Sequence, residues 1–247
     1  MNKVLLTGMN GTVAPVVAEE LRGRRYETLA WDRGAVPPDD GGAVERFIRG
    51  VKPSALIHCA MGSPQWAEDM ARVCAEQGSA FLYVSSASVY GTQQQGPFTV
   101  YDTPEPSDDY GRYKLECEQR VRAANDAARV VRIGWQIALR PGGNNMLEHL
   151  IRRQAEDGCI AASTEWFPAC SFLDDTAYVL AEVLEGQPPG LYLADGNSGW
   201  SFWQIASALR LALDEDWVVK KTDDLRWNNR MEDRQLATPA ITRKLGT

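Results

Sequence analysis

Short apolar runs at about 3–7, 27–31, 54–60, 80–86 and 129–134 constrain this chain more than any other feature, because none of them alternates with polar residues. A strand that is apolar on both sides must be covered on both sides, and that is the condition of a parallel sheet. Amphipathic stretches at about 12–23, 42–51, 64–77 and 109–126 fall between the runs and supply the cover. Strand and helix therefore alternate, which predicts an α/β architecture with a doubly wound parallel sheet and helices on both faces.

The rhythm breaks between Ala87 and Asp108, where Gly91, Gly96-Pro97, Pro104 and Pro106 predict a long loop after a strand. Past residue 134 the composition changes. Arg140-Pro141-Gly142-Gly143-Asn144-Asn145 predicts a loop, residues 146–157 a helix, and 170–173 a short strand. A helix over 174–185 is expected to be capped by Asp174 or Asp175. Gly190–Leu193 predicts a further strand, and Ser201 caps a helix running to about 212. The expected organisation is a dinucleotide-binding core over 1–134, with a small mixed part over 135–247 interleaved with it.

At 247 residues the chain is long enough for a full core. Its net charge of −7, with no basic cluster, argues against nucleic acid and anionic membrane partners. The apolar runs are too short to span a bilayer. Two histidines do not make a zinc site, and five cysteines without CxxC spacing do not make a disulfide framework. With no signal-peptide pattern at the N-terminus, a reduced, cytoplasmic protein is expected.

Thr7-Gly8-Met9-Asn10-Gly11-Thr12-Val13-Ala14 follows the first strand and opens the first helix. Small residues there admit a pyrophosphate to the backbone, and the helix N-terminus offers unpaired N–H groups to it. Asp32, at the end of the second strand, is placed to accept hydrogen bonds from an adenosine ribose, which favours NAD. The adjacent Arg33 suits a 2′-phosphate, so NADP stays open, with NAD narrowly ahead. These features narrow the architecture to a Rossmann-type sheet.

Tyr110 and Lys114 stand four residues apart on a predicted helix and share a face, while Tyr113 points elsewhere. An ammonium beside a phenol lowers its pKa, and such a tyrosine passes a proton to or from a carbonyl or alcohol oxygen. The strand Leu82–Val84 ends in Ser85-Ser86-Ala87-Ser88, which puts hydroxyls at the sheet edge where open α/β sheets bind ligands. His58, in an apolar strand, is expected in the core or in the groove wall rather than as a general base. Arg132 and Arg140 are expected in ion pairs, and Asn144 and Asn145 at a helix cap.

Taken in order, Thr7-Gly8-x-x-Gly11-x-x-Ala14, Asp32, Leu56-Ile57-His58-Cys59-Ala60, Ser85–Gly91 and Tyr110-Gly111-Arg112-Tyr113-Lys114 resemble the extended short-chain dehydrogenase/reductases. Within them, Gly42–Pro53 and the tail Asp233–Thr238 resemble the dTDP-4-dehydrorhamnose reductase branch. The resemblance implies a catalytic Ser86, Tyr110 and Lys114, with Lys114 also on the nicotinamide ribose. It implies a cofactor groove of Gly8, Asn10, Gly11, Thr12, Val13, Asp32, Arg33, Cys59, Ala60, Met61, Tyr110 and Lys114. The implied activity is hydride transfer at a keto or hydroxy carbon of a sugar or nucleotide-sugar, with a homodimer as a family-level expectation. Ser86-Ala87-Ser88 replaces the Thr-Asp-Tyr of the reductase branch and looks like the epimerase version, and it lacks the Asp-Glu pair of dehydratases. A sugar epimerase, and a non-catalytic NAD(P)-binding regulatory subunit, are the alternatives.

Overall fold

The computed structural model describes residues 2–246. The first half runs β1 (Lys3–Thr7), α1 (Val13–Gly23), β2 (Glu27–Ala30), α2 (Gly41–Val51), β3 (Ala55–His58), α3 (Pro64–Gln77), β4 (Ala80–Ser86), a 3₁₀ turn (Ala87–Val89), α4 (Asp109–Ala124) and β5 (Arg129–Ile133). The second runs β6 (Trp135–Ile137), α5 (Met146–Asp157), β7 (Ile160–Ser163), β8 (Trp166–Phe167), β9 (Cys170–Phe172), α6 (Leu173–Gly186), β10 (Gly190–Ala194), α7 (Phe202–Ala212), β11 (Val219–Thr222), β12 (Trp227–Asn228) and α8 (Thr242–Leu245).

Six strands make one parallel sheet in the order β10-β5-β4-β3-β1-β2. The doubly apolar strands explain the layering. In β1, Val4 and Leu6 face a core shared with α1 and α6, while Leu5 faces the opposite core under α2, α3 and α4. The chain steps outward from β1 to β2, then crosses back to place β3 on the other flank of β1. The crevice at the carboxyl ends of β1 and β3 is thus the switch point where such sheets take ligands.

Helix ends follow local chemistry. Ser63 caps α3 by accepting the Trp66 N–H, with Pro64 in the first turn, and Asp108 caps α4 by accepting the Gly111 N–H at 2.6 Å. Ser201 and Gln204 form a reciprocal capping box on α7. Asn145 caps α5. One expected cap is corrected: α6 starts at Leu173 behind Phe172, and Asp174 and Asp175 lie in its first turn. There they pair with Lys244, which favours that position for carboxylates without any capping hydrogen bond.

The strand read at 54–60 ends at His58, and Cys59 and Ala60 leave the sheet with their amides on the Thr7 hydroxyl at 3.1 and 3.2 Å. Beyond β5, three two-stranded parallel pairs (β6-β9, β7-β11 and β8-β12) enclose a separate apolar cluster around Phe172, Phe202 and Trp217. β10 returns from this half to the main sheet, and α6 packs on α1. Among the described residues, no helix is long and apolar enough to cross a membrane.

Candidate active site

The turn between β1 and α1 is closed by Gly11 N–H donating to the Gly8 carbonyl at 2.8 Å. Gly8 has φ +86°, and a Cβ there would lie 3.1 Å from the Ala60 amide nitrogen, so this backbone tolerates no side chain. Thr12 precedes α1 without capping it, and its hydroxyl accepts from the Asn144 amide instead. The first-turn N–H groups of α1 therefore remain for an anion. Pro15 is the third residue of α1, where a missing N–H costs nothing.

From this turn a cleft of about 750 Å³ runs to the end of β2, lined by Gly8, Asn10, Gly11, Asp32, Arg33, Cys59, Ala60 and Met61. The Asp32 carboxylate accepts from the Gly34 amide at 2.8 Å. The Arg33 guanidinium lies 5.0 Å above the Trp66 ring and donates to the Met61 carbonyl. The residues present fit a dinucleotide: a glycine cradle, a free helix N-terminus, and a carboxylate at the far end.

A second cleft of about 820 Å³ shares Gly11, Cys59 and Met61 with the first and adds Thr12, Val13, Ser86 and Tyr110. Ser86 ends β4, and its hydroxyl accepts from the Ser88 amide and donates to the Ser88 hydroxyl, both at 3.1 Å. Tyr110 opens α4. A Cβ on Gly111 would stand 2.1 Å from the Ser88 carbonyl oxygen, so only glycine lets the first turn of α4 settle against the end of β4. Gly111→Ala is expected to destabilise the fold by about 1–3 kcal/mol, the usual range for overpacking, read as a lowered denaturation midpoint.

The Lys114 expectation needs revision. Its side chain is 3% exposed and lines neither cleft; the ammonium donates to the Val84 carbonyl at 2.9 Å, 5.9 Å from the centre of the Tyr110 ring. Burial raises the Tyr110 phenol above its ordinary 10.0, and the neighbouring Ser86 hydroxyl pulls it back. Burial likewise lowers Lys114. In this state Ser86, rather than Lys114, is the group that eases ionisation of the phenol. The Tyr113 ring lies at the same 5.9 Å from the Lys114 ammonium, but it lines neither cleft and its hydroxyl accepts from the Gly62 amide.

His58 is buried, with Nδ1 2.7 Å from the Thr7 hydroxyl, and burial together with the Lys114 and Arg33 charges holds it well below 6.5. It is a core histidine, as expected. The Cys59 thiol, pushed up to about 12 by burial, stays protonated. Arg132 forms a buried two-point pair with Glu118.

Sequence reasoning missed one wall of the second cleft, which includes Trp135, Gln136, His149, Trp166, Trp227 and Asn229. Trp135 and Trp166 stack at 6.0 Å, and the Trp166 indole N–H donates to Asn229 at 3.1 Å. Only the concentration of tryptophans in the second half hinted at this wall.

A parallel sheet with its switch point at a glycine turn, and with hydroxyl and phenol on the next carboxyl edge, is the arrangement of the extended short-chain dehydrogenase/reductases. The family model described as RmlD substrate binding domain matches residues 64–222, and the chain belongs to that family. It is 27% identical over 216 residues to a dTDP-4-dehydrorhamnose reductase of Mycolicibacterium smegmatis, covering 80% of this chain and 64% of the relative, so it spans less than two thirds of that protein's length. It is 26% identical to the methionine adenosyltransferase 2 subunit beta of Xenopus laevis, over 84% of this chain and 71% of that one. Among solved structures, dTDP-4-dehydrorhamnose reductase from Bacillus anthracis in complex with NADP superposes with a TM-score of 0.87 at 18% identity, over 99% of this chain and 97% of the other.

Proposed function

We propose that the protein is an NAD(P)-dependent oxidoreductase that reduces the keto carbon of a nucleotide-linked sugar, in the manner of a dTDP-4-dehydrorhamnose reductase. The observation that carries this reading is the meeting of the two clefts at Gly11, Cys59 and Met61, with Ser86 and Tyr110 lining the second. A dinucleotide along the first cleft would supply hydride at that junction. Tyr110 donates its phenolic proton to the substrate oxygen, and Ser86 donates a hydrogen bond to the same oxygen. The Ser86 hydroxyl eases the phenolate that proton transfer leaves behind, and the Lys114 ammonium, held on the Val84 carbonyl 5.9 Å from the ring, adds only a more distant attraction. A phenol raised above 10.0 is fully protonated at neutral pH, which suits it to act as the acid of a reduction.

NAD(H) is the favoured cofactor, because Asp32 lines the ribose end and the Arg33 guanidinium is already engaged by Met61 and Trp66. NADH is expected to bind more tightly than NADPH in a fluorescence titration. Asp32→Ala should weaken NADH by about tenfold or more, the loss of one hydrogen bond to a charged group. Tighter NADPH binding to the parent protein would reverse the assignment. The net charge of −7 supports a small-molecule partner over nucleic acid, and five free cysteines support a reducing, cytoplasmic setting.

The relatives named as subunit beta of methionine adenosyltransferase favour a second reading, a dinucleotide-binding regulatory subunit without turnover. The test is purified protein with dTDP-4-dehydrorhamnose and either reduced dinucleotide. Consumption of the dinucleotide with formation of the alcohol is expected. Dinucleotide binding with no turnover under any condition would pass the assignment to the subunit reading.

A further inference from the structure

Asp195 follows β10 and belongs to neither the glycine turn nor the Ser86–Tyr110 pair, yet three separate stretches of backbone converge on its side chain. Oδ1 accepts from the Cys170 amide at 3.0 Å and from the Asn197 amide at 2.8 Å, and Oδ2 accepts from the Met231 amide at 2.8 Å. Each contact holds a piece of the second cleft. Cys170 directly follows Trp166, Pro168 and Ala169, which line one wall. Met231 follows Trp227 and Asn229, which line another. Asn197 reinforces the first wall by donating from Nδ2 to the Pro168 carbonyl at 2.8 Å.

The Met231 segment is a strap laid between two bodies. On one side β12 pairs with β8. On the other, Phe98 N–H donates to the Arg230 carbonyl and Glu232 N–H to the Phe98 carbonyl, both at 2.7 Å. Phe98 in turn stacks on Tyr90 at 4.1 Å, and Tyr90 also lines the cleft. We propose that Asp195 is a positioning residue for the nucleotide-sugar, holding the 166–170 wall and the 227–231 strap at a fixed separation across the substrate half of the cleft. The substrate named here rests on the reading under Proposed function; the tie between the walls does not.

The same contacts work against the cost of burying this carboxylate. Burial pushes the Asp195 carboxyl up to about 7, while the amides of Asn197, Met231 and Cys170 and the Arg230 guanidinium pull it down. These donors and the Cys170 thiol, itself raised by burial and then by Asp195, are the groups that face it. A carboxylate is needed because its two oxygens accept in two directions at once. An amide keeps one accepting oxygen and turns the other into a donor facing the Met231 N–H.

Asp195→Asn therefore releases the strap specifically. In the parent protein, hydrogen exchange followed by mass spectrometry is expected to find the Cys170 and Met231 amides protected; a Met231 amide exchanging at its intrinsic rate overturns the tie without any variant. In Asp195→Asn, peptides spanning 227–232 should exchange at least tenfold faster while β1 and β4 are unchanged. Asp195→Ser, which keeps one short acceptor, should do the same if the asparagine variant folds poorly. Affinity for dTDP should fall about tenfold with NADH affinity kept within twofold, and in turnover KM for the nucleotide-sugar should rise with kcat within threefold. Strap exchange unchanged in the variants, or dTDP and NADH affinities falling together, sinks the proposal. Failure of dTDP to bind the parent protein sinks the substrate assignment, and the exchange experiment still decides the tie.

Discussion

Tyr110→Phe is expected to lower turnover by about 10²–10⁴-fold, the usual contribution of a positioned general acid. NADH affinity should stay within about twofold of the parent, because Tyr110 lines the substrate cleft and is absent from the cleft that holds Asp32. The substitution removes only the hydroxyl. The ring, the α4 helix and the Gly111 contact on Ser88 all remain, so a fall in kcat with unchanged folding isolates the proton transfer. The pH dependence follows from the direction of the shift. A phenol raised above 10.0 is protonated below that value and lost as an acid above it. In the reducing direction the parent rate should be flat through neutral pH and fall only in strong alkali. A rate that already declines between pH 7 and 9 would mean that bound dinucleotide brings Lys114 into play and draws the phenol down, as the four-residue spacing first suggests. Equal loss of NADH affinity and turnover in the variant would instead remove Tyr110 from the chemistry.

The main sheet was legible because it is written in local terms. Val4-Leu5-Leu6 and Ala55-Leu56-Ile57 carry apolar side chains on both faces, and two apolar layers take them up. Asn145 and Ser201 cap through hydrogen bonds that span three residues, which sequence displays directly. Every residue expected in the dinucleotide groove except Lys114 lines one of the two clefts. Lys114 was placed on the correct face of α4, but its partner was not foreseeable. The Val84 carbonyl belongs to a strand 30 residues away and leaves no trace in side-chain identity.

The second half was harder to read for the same physical reason. β8 and β12 are two residues each and pair across more than fifty intervening residues, so neither carries a period. The strap from Trp227 to Glu232 is fixed by backbone groups of Gly96 and Phe98 and by Asp195. Such contacts depend on where the chain returns rather than on what its residues prefer. Asp174 shows the converse error: an acidic residue beside an expected helix start suggests a cap, but with the start at Leu173 it serves Lys244 instead.

Removing Glu118 is expected to have the largest effect on stability. Glu118 and Arg132 are each 3% exposed and joined by two hydrogen bonds of 2.9 and 2.7 Å. The Ser85 hydroxyl also donates to Glu118, and Arg132 reaches on to the Tyr90 hydroxyl at 2.7 Å. Glu118→Ala leaves the guanidinium buried without its counter-charge, and a cost of about 3–5 kcal/mol follows for a broken buried pair. The same substitution removes a carboxylate that raises Lys114, one turn earlier on α4, so two buried cations lose an anion they share. The midpoint of denaturant unfolding should fall with the slope unchanged. The double variant Glu118→Leu with Arg132→Met separates charge from packing. It removes both ions and fills the space with apolar groups, and its stability should return to within about 1–2 kcal/mol of the parent, since apolar replacement of a buried pair is commonly close to neutral. If the double variant were as unstable as Glu118→Ala, the loss would come from the shape and hydrogen bonding of this layer between α4, β4 and β5 rather than from an abandoned charge.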